Sequence, residues 1–259
     1  MQKYLSRINS LFHYGLVLFF LGAFAPCFAF NWFNTDMNMN IGPQVDKQFS
    51  GRQANFVLSI LESTDKTNVS IMKERSELLA LQATYQTEHT LSPGQFSWLR
   101  ALAENYHISA PDFKYKETWK KLDSQVDIIP PSLVLAQAIQ ESGWGRSDVA
   151  NKGHNYFGQE CFSRGCGFGH GHSMRGHYYE MAEFKSIDDA INHYIHNLNT
   201  NKAYRTMWNI RYHERSMNGG SIDSIALVNG LLSYSELGGH YVATIKKLVY
   251  HLNLQTFDH

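Results

Sequence analysis

The amino-acid sequence predicts a mainly helical fold that carries one small β-lobe. Apolar residues recur at helical spacing in several stretches between residues 47 and 252. The segment from Cys161 to Phe184 breaks this period, is rich in Gly and His, and is too long for a mere connector. With 43% apolar residues in 259, the chain can bury a real core. These observations indicate a helical body with a separate lobe, in which HYYEMAEF at residues 177–184 predicts a short hairpin.

Charge limits the classes of partner that the chain can attract. Lys and Arg together number 23, and Asp and Glu together also number 23. The chain therefore has no net basic field that would gather nucleic acid or an anionic membrane surface. We expect a neutral polymer as the partner, no nucleic acid, no cofactor, and a monomeric protein.

The first 29 residues have the layout of an export signal. Lys3 and Arg7 precede the apolar stretch LVLFFLGAF, which is too short for a membrane span. Small residues follow the apolar stretch, as is typical of the cleavage site of a signal peptide. Cleavage is expected after Ala25 or Ala29. We expect residues 1–29 to be a signal peptide and the mature chain to be exported to the periplasm or cell envelope, or secreted. An uncleaved anchor is the alternative.

Residues 30–110 are expected to form an N-terminal helical region before a second domain at residues 111–259. Residues 30–46 show no sustained period and predict an extended lead-in. Ser92, Pro93 and Gln95 predict the start of a helix with a capping box. The residues that share a predicted apolar or helical face are Phe49, Gln53, Phe56, Val57, Ile60 and Leu61, then Met72, Leu78, Leu79 and Leu81, then Phe96, Leu99, Ala103 and Tyr106. This region is expected to pack or to position the rest.

A nearly uninterrupted apolar helix is predicted to begin at Pro130 and Pro131, with proline in its first turn. Gly143 and Gly145 can end it, because glycine adopts backbone angles that other residues resist. Leu133, Gln137 and Glu141 lie on successive turns of one face. Glu141 thus projects from the last turn of a mostly buried helix.

Three further helices are predicted downstream. Ser186 and Asp189 bracket a capping box before a helix that runs through Leu198. The stretches SIDSIALVNGLL and YVATIKKLVYHL predict the other two, the first with a glycine inside it.

The predicted position of Glu141 makes it a candidate general acid. A helix C-terminus carries partial negative charge, and burial against Trp144 disfavours the ionised carboxylate, so both effects raise the pKa of Glu141. A glutamic acid that stays protonated is what a glycosidase needs to donate a proton to a leaving sugar oxygen. The alternative is that Glu141 only accepts hydrogen bonds from a neighbouring loop.

Two cysteines of the lobe, Cys161 and Cys166, are predicted to form a disulfide, since export makes one chemically permissible. So short a closed loop stabilises the fold by only roughly 2 kcal/mol, so its expected task is to hold CFSRGC in one shape. A zinc site with His170, His172 and His177 is the alternative, but its spacing departs from the usual zinc patterns.

The stretch IPPSLVLAQAIQESGWGRSDVANKGHNYFGQECFSRGCGF resembles the glucosaminidase domain of glycoside hydrolase family 73. CFSRGCGF is most similar to the Bax-like members in Gram-negative bacteria. The resemblance implies a lysozyme-like domain, mainly helical with a small β-lobe beside a cleft. It also implies an endo-β-N-acetylglucosaminidase that hydrolyses β-1,4 links of peptidoglycan, with Glu141 as general acid.

The resemblance also assigns binding residues and a second carboxylate. It places the turn Asn155, Tyr156, Phe157 and Gly158 on the cleft wall. The second carboxylate is expected in the β-lobe some forty residues after the first, which Glu180 fits best, with Glu183 and Glu160 as competitors. An N-acetyl group of the substrate acting as internal nucleophile is a further alternative.

Several aromatic residues are further candidates for the cleft. YSELGGHY places Tyr234 and Tyr241 where the family carries YATDxxY, although Ser235, Glu236 and Leu237 depart from that pattern. Either tyrosine could instead cover the core. Gln137 and Trp144 are expected to contact substrate, and Tyr178 and Tyr179 of the lobe are candidates for stacking on sugar rings.

Two other functions remain open at this point. A glycan-binding module could have kept the cleft without catalysis, and an amidase could cut the peptide stem instead of the glycan. The sequence contains no HExxH and no serine-nucleophile motif, both of which would favour another hydrolase class.

Overall fold

The computed structural model describes residues 41–172, 178–217 and 219–258. The predicted signal peptide and residues 30–40 of the expected lead-in lie outside the described residues. The α-helices are α1 (Gly42–Gln48), α2 (Gly51–Glu88), α3 (Pro93–Asn105), α4 (Lys116–Gln125), α5 (Pro131–Ser142), α6 (Asp148–Gly153), α7 (Ile187–Thr200), α8 (Arg205–Met217), α9 (Ser224–Leu227) and α10 (Gly239–His251). Short 3-10 helices lie at Lys202–Tyr204, Val228–Leu231 and Leu254–Phe257. The predicted fold class, mainly helical with a small sheet, is confirmed.

The N-terminal helices differ from the prediction in two places. Residues 42–48 form α1 instead of an extended lead-in, because Pro43 is tolerated in the first turn of a helix. The two predicted apolar stretches belong to one helix, α2, of 38 residues. Leu79 is 40% exposed, so the prediction of Leu79 on the buried face was wrong. The capping box of α3 is confirmed, since the side chains of Ser92 and Gln95 each accept from the other's backbone N–H.

Helix α5 lies at the centre of the molecule and carries Glu141 in its last turn. Residues 131–139 are all buried, and the helix packs against α2, α10 and the 3-10 helix Leu254–Phe257. At its N-terminus, the Ser132 backbone N–H and hydroxyl donate to the Asp258 carboxylate at 2.8 and 2.6 Å. An anion at a helix N-terminus is stabilised by the unpaired N–H groups there. The N-terminus of α5 is therefore fixed by its hydrogen bonds to Asp258.

Three successive residues in the left-handed region terminate α5, which confirms that glycines end the helix. Gly143, Trp144 and Gly145 have φ values of 57°, 64° and 68°. A side chain on Gly145 would be strained by this backbone, and its Cβ would lie 2.9 Å from the ring of Phe56. Glycine at this position thus lets the chain turn sharply against α2 immediately after Glu141.

The β-lobe is a three-stranded antiparallel sheet in the order β1-β3-β2. The strands are β1 (Glu160–Cys161), β2 (Gly167–His172) and β3 (Tyr178–Ala182). HYYEMAEF supplies only one strand, so the prediction of a whole hairpin there was wrong. Its partner is GFGHGH, which the sequence did not indicate because glycine is disfavoured in strands. The ring of Tyr179 on β3 covers Gly171, where an added Cβ would lie 2.6 Å from it.

Downstream, one predicted helix is shorter than expected, and the capping box of another is incomplete. Asp223 caps α9, and its four residues pass into the 3-10 helix that contains Gly230. The expected capping box of α7 is half formed: Ser186 accepts from the Asp189 backbone N–H, while the Asp189 carboxylate accepts from the Lys185 N–H. These are local differences and leave the helical body unchanged.

One buried carboxylate, Asp127, ties the helices together beneath α5. Arg215 donates to both of its oxygens, at 2.6 and 2.9 Å. Arg75 and the fully buried Arg211 lie 3.6 and 4.0 Å from the same carboxylate. The three arginines come from α2 and α8, so Asp127 anchors the segment before α5 to both helices.

None of the helices in the described part of the chain combines the length and apolar character needed to cross a membrane.

Candidate active site

Glu141 is half-buried at the end of α5. Burial raises the pKa of Glu141 above its ordinary value, while a hydrogen bond from the Tyr241 hydroxyl acts in the opposite direction. Desolvation disfavours the charged form of a carboxyl group, whereas a donor favours it. Since burial is the larger effect, Glu141 holds a proton to higher pH than an exposed glutamate does.

The turn of residues 155–158 lies against the Glu141 carboxylate. A methyl group added at Gly158, whose φ is +64°, would lie 3.6 Å from Oε2 of Glu141. The turn is fastened by Asn155, which is buried. The Asn155 amide donates to the carbonyls of Gln159 and Ala182 at 2.8 and 2.9 Å, and its oxygen accepts from the Gln159 N–H at 2.9 Å. Asn155 therefore holds the turn to the β-lobe.

The two candidate tyrosines have different partners. Their rings stack with centroids 5.3 Å apart. The hydroxyl of Tyr234 donates to the Phe157 carbonyl at 2.9 Å, whereas that of Tyr241 accepts from the Gln137 amide at 2.9 Å and, as a donor, lowers the pKa of Glu141. Tyr234 thus fixes the turn that faces the carboxylate, and Tyr241 is the tyrosine whose hydroxyl reaches Glu141.

Gln137 lies one turn before Glu141 on α5 and is fully buried. Its amide nitrogen donates to the Tyr241 hydroxyl at 2.9 Å, and its amide oxygen accepts from the Tyr194 hydroxyl. Tyr194 in turn stacks on Phe157 with centroids 3.9 Å apart. Tyr194 was not predicted as a site residue. A buried tyrosine needs a partner for its hydroxyl, and this is the signal that could have identified it.

The aromatic rings next to the helix end connect it to α2. The indole of Trp144 packs edge-on against Phe49 and Phe56, at centroid distances of 5.7 and 6.2 Å. Tyr156 of the turn lies 6.0 Å from the same Phe56 ring. Phe56 therefore contacts both Trp144, at the end of α5, and Tyr156, in the turn that lies against Glu141.

Glu180 of the β-lobe is an ionised carboxylate surrounded by donors. It accepts hydrogen bonds from the hydroxyl of Tyr178 and from the N–H groups of Gly165 and Gly167, the latter two at 2.9 Å. These bonds, with that of Tyr178 the largest, lower the pKa of Glu180 to about 2. Opposite it on β1 is Cys161, whose disulfide with Cys166 closes the loop that contains Gly165 and ends next to Gly167.

The predicted disulfide is confirmed, and it affects the alternative prediction that the two cysteines bind zinc. The two sulfur atoms and one Glu180 oxygen lie within 4.8 Å of one another. Sulfurs joined to each other are not the thiolates that zinc requires, so the donor set does not fit zinc. His177 lies outside the described residues, as do the side chains of His170 and His172.

The competing carboxylates, Glu160 and Glu183, are both exposed. Partial burial and then the charge of Glu236 raise the pKa of Glu160. This places Glu236, in the segment that carries Tyr234, near the strand that follows Gly158. Glu236 was not predicted as a site residue from the sequence.

Comparisons with known proteins show which family the chain belongs to. Residues 115–254 match the model of the Glucosaminidase family, described as mannosyl-glycoprotein endo-beta-N-acetylglucosaminidase. The chain is 30% identical to Protein bax of Escherichia coli strain K12 over 201 residues, which span 77% of this chain and 70% of that protein. Among solved structures, the catalytic domain of the autolysin Auto from Listeria monocytogenes matches with a TM-score of 0.38 and 17% identity, over 65% of this chain and 90% of that one.

Proposed function

The chain belongs to the glucosaminidase family of glycoside hydrolases, and from that premise we propose that it is an endo-β-N-acetylglucosaminidase acting on peptidoglycan. It hydrolyses β-1,4 glycosidic bonds, with Glu141 as the general acid. The observation that carries the proposal is the half-buried Glu141 carboxyl with a raised pKa, facing Gly158 and bonded to Tyr241. In this role Glu141 gives its proton to the leaving sugar oxygen as the bond breaks.

We propose Glu180 as the second carboxylate. The environments of Glu141 and Glu180 move their pKa values in opposite directions, upward by burial in one and down to about 2 by hydrogen bonds in the other. In such a pair, the residue with the raised pKa acts as the acid, and the residue with the lowered pKa stays ionised. The ionised Glu180 would act as base, as nucleophile or as a stabilising charge for the oxocarbenium-like transition state. Glu183, Glu160 and the N-acetyl group of the substrate remain the competing assignments.

The proposal also assigns the cleft wall, the domains and the location of the protein. The turn of residues 155–158, in which Asn155 and Phe157 are buried, is proposed as the cleft wall, and Trp144 and Tyr179 are proposed to contact the glycan. Residues 111–259 are proposed as the glycosidase domain and residues 30–110 as a region that positions it. We further propose export to the cell envelope, as the N-terminal sequence predicts, which would bring the enzyme to its substrate.

The products of peptidoglycan digestion test the proposal. Purified full chain is incubated with peptidoglycan, the fragments are reduced with borohydride, and their ends are identified by mass spectrometry. We expect soluble fragments that end in reduced N-acetylglucosamine. Fragments that end in reduced N-acetylmuramic acid would assign the cut to the other glycosidic bond, and free stem peptides without new reducing ends would show an amidase. Pelleting of the chain with peptidoglycan without any fragments would show a binding module.

A further inference from the structure

Three buried side chains form a hydrogen-bonded row that ends at Glu141. Gln137, Tyr194 and Tyr241 are 0%, 1% and 3% exposed, so water does not compete for their polar atoms. They come from α5, α7 and α10, and their hydroxyl and amide groups meet only because these helices pack together. Each group in the row satisfies the next, as buried polar groups require.

The direction of each hydrogen bond follows from the first donor in the row. The hydroxyl of Tyr194 donates to the amide oxygen of Gln137, which turns the amide nitrogen toward Tyr241. The Tyr241 oxygen accepts that N–H, so its own hydrogen is free to point at the carboxyl of Glu141. Tyr241 is thereby a donor to Glu141 rather than to Gln137.

We propose that Gln137 is a positioning residue which, held by Tyr194, orients the Tyr241 hydroxyl as a hydrogen-bond donor to Glu141. This differs from the sequence-based expectation that Gln137 contacts substrate. The inference rests on the proposed function, in which Glu141 is the general acid. Its consequence is that a residue without contact to the glycan sets the pH at which the acid loses its proton.

The ionisable groups around Glu141 agree with this role. Tyr194, Tyr234 and Tyr241 each have a pKa raised first by burial, to which the negative charge of Glu141 adds. All three therefore stay neutral and can act as donors. Of these three, Tyr241 is the one whose hydroxyl, as a hydrogen-bond donor, lowers the pKa of Glu141 against the effect of burial. Loss of the bond would let that pKa rise.

A titration of Glu141 by NMR in two variants tests the inference without depending on activity. The chain is labelled with ¹³C at the side-chain carboxyl of glutamate, and the Glu141 resonance is identified by its absence in Glu141→Gln. In Gln137→Leu the donor to Tyr241 is removed. In Tyr194→Phe the shape is kept, but the Gln137 amide can turn and present its oxygen to Tyr241. We expect the titration midpoint of Glu141 to rise by about one pH unit in both variants. The loss of one hydrogen bond to a charged group changes a pKa by about this amount.

Tyr204→Phe is the matched control, because Tyr204 is a buried tyrosine of the same aromatic cluster outside the row. The titration midpoint of Glu141 in Tyr204→Phe should equal that in the unmodified chain. An unchanged midpoint in Tyr194→Phe, or an equal rise in Tyr204→Phe, would overturn the proposal. If Gln137→Leu does not fold, Tyr194→Phe decides alone. A chain that releases no reducing ends would contradict the proposed function, while the titration would still test the row.

Discussion

Glu141→Gln is expected to lower the release of reducing ends from peptidoglycan by roughly a thousandfold, the scale of a lost general acid. Glutamine has nearly the same shape as glutamate and can accept from Tyr241, but it has no acidic proton to give to the leaving oxygen. The measurement is the initial rate of reducing-end release at the pH optimum, with peptidoglycan in excess.

Stability measurements separate this loss from misfolding. The folded state raises the pKa of Glu141, so above the unfolded pKa its ionisation costs folding free energy, and the cost grows as the pH rises. A neutral glutamine removes this cost, and the melting temperature of Glu141→Gln at pH 7 should equal or exceed that of the unmodified chain. Glu104→Gln, which changes an exposed carboxylate on α3, should keep full activity. Equal rates for Glu141→Gln and the unmodified chain would refute the assignment of the acid.

Asp127→Asn is expected to destabilise the fold by about 3–5 kcal/mol, the usual cost of removing one partner of a buried ion pair. Arg211 would lose its buried counter-ion, and its Nε already has no hydrogen-bond partner among the described residues. Urea unfolding followed by circular dichroism measures the difference. The matched control is Asp188→Asn, whose partner Lys66 is exposed, and this surface pair should contribute less than about 1 kcal/mol. Similar unfolding midpoints for the two variants would contradict the role given to Asp127.

The effect of Asp127 should depend on pH in a defined direction. Burial alone would raise the pKa of Asp127, but the hydrogen bond from Arg215 and the charges of Arg75 and Arg211 lower it. A carboxyl group with a depressed folded pKa contributes stability above its unfolded pKa of about 3.9 and loses it as the pH falls through the folded value. The difference between Asp127→Asn and the unmodified chain should therefore be full at pH 6 and shrink below about pH 4.

Local features of the sequence predicted the framework of the site. Pro131 at the start of α5, Gly143 at its end and the short spacing of Cys161 and Cys166 each act within a few residues, so their effects are visible in the sequence. The position of Glu141 in the last turn follows directly. The strand GFGHGH was missed because glycine is disfavoured in strands, and the strand that pairs with it, Tyr178–Ala182, lies elsewhere in the sequence.

Contacts between distant segments were not predictable in the same way. Gln137 and Tyr241 are separated by 104 residues, and Asp127 and Arg215 by 88. Sequence spacing does not indicate which buried polar groups will face each other once α5, α7, α8 and α10 have packed. The roles of Gln137 and Asp127 therefore depend on the tertiary structure, whereas Glu141 was predicted from its position on the helix and from the family resemblance.

The pKa of Glu141 in the unmodified chain is the most direct test of the account. It is read from the ¹³C carboxyl resonance that Glu141→Gln removes, over a pH range in which the fold stays intact. The account predicts a midpoint clearly above the ordinary glutamate value of about 4.3. A midpoint at or below that value would contradict it, because the carboxyl would then be ionised before it could donate its proton.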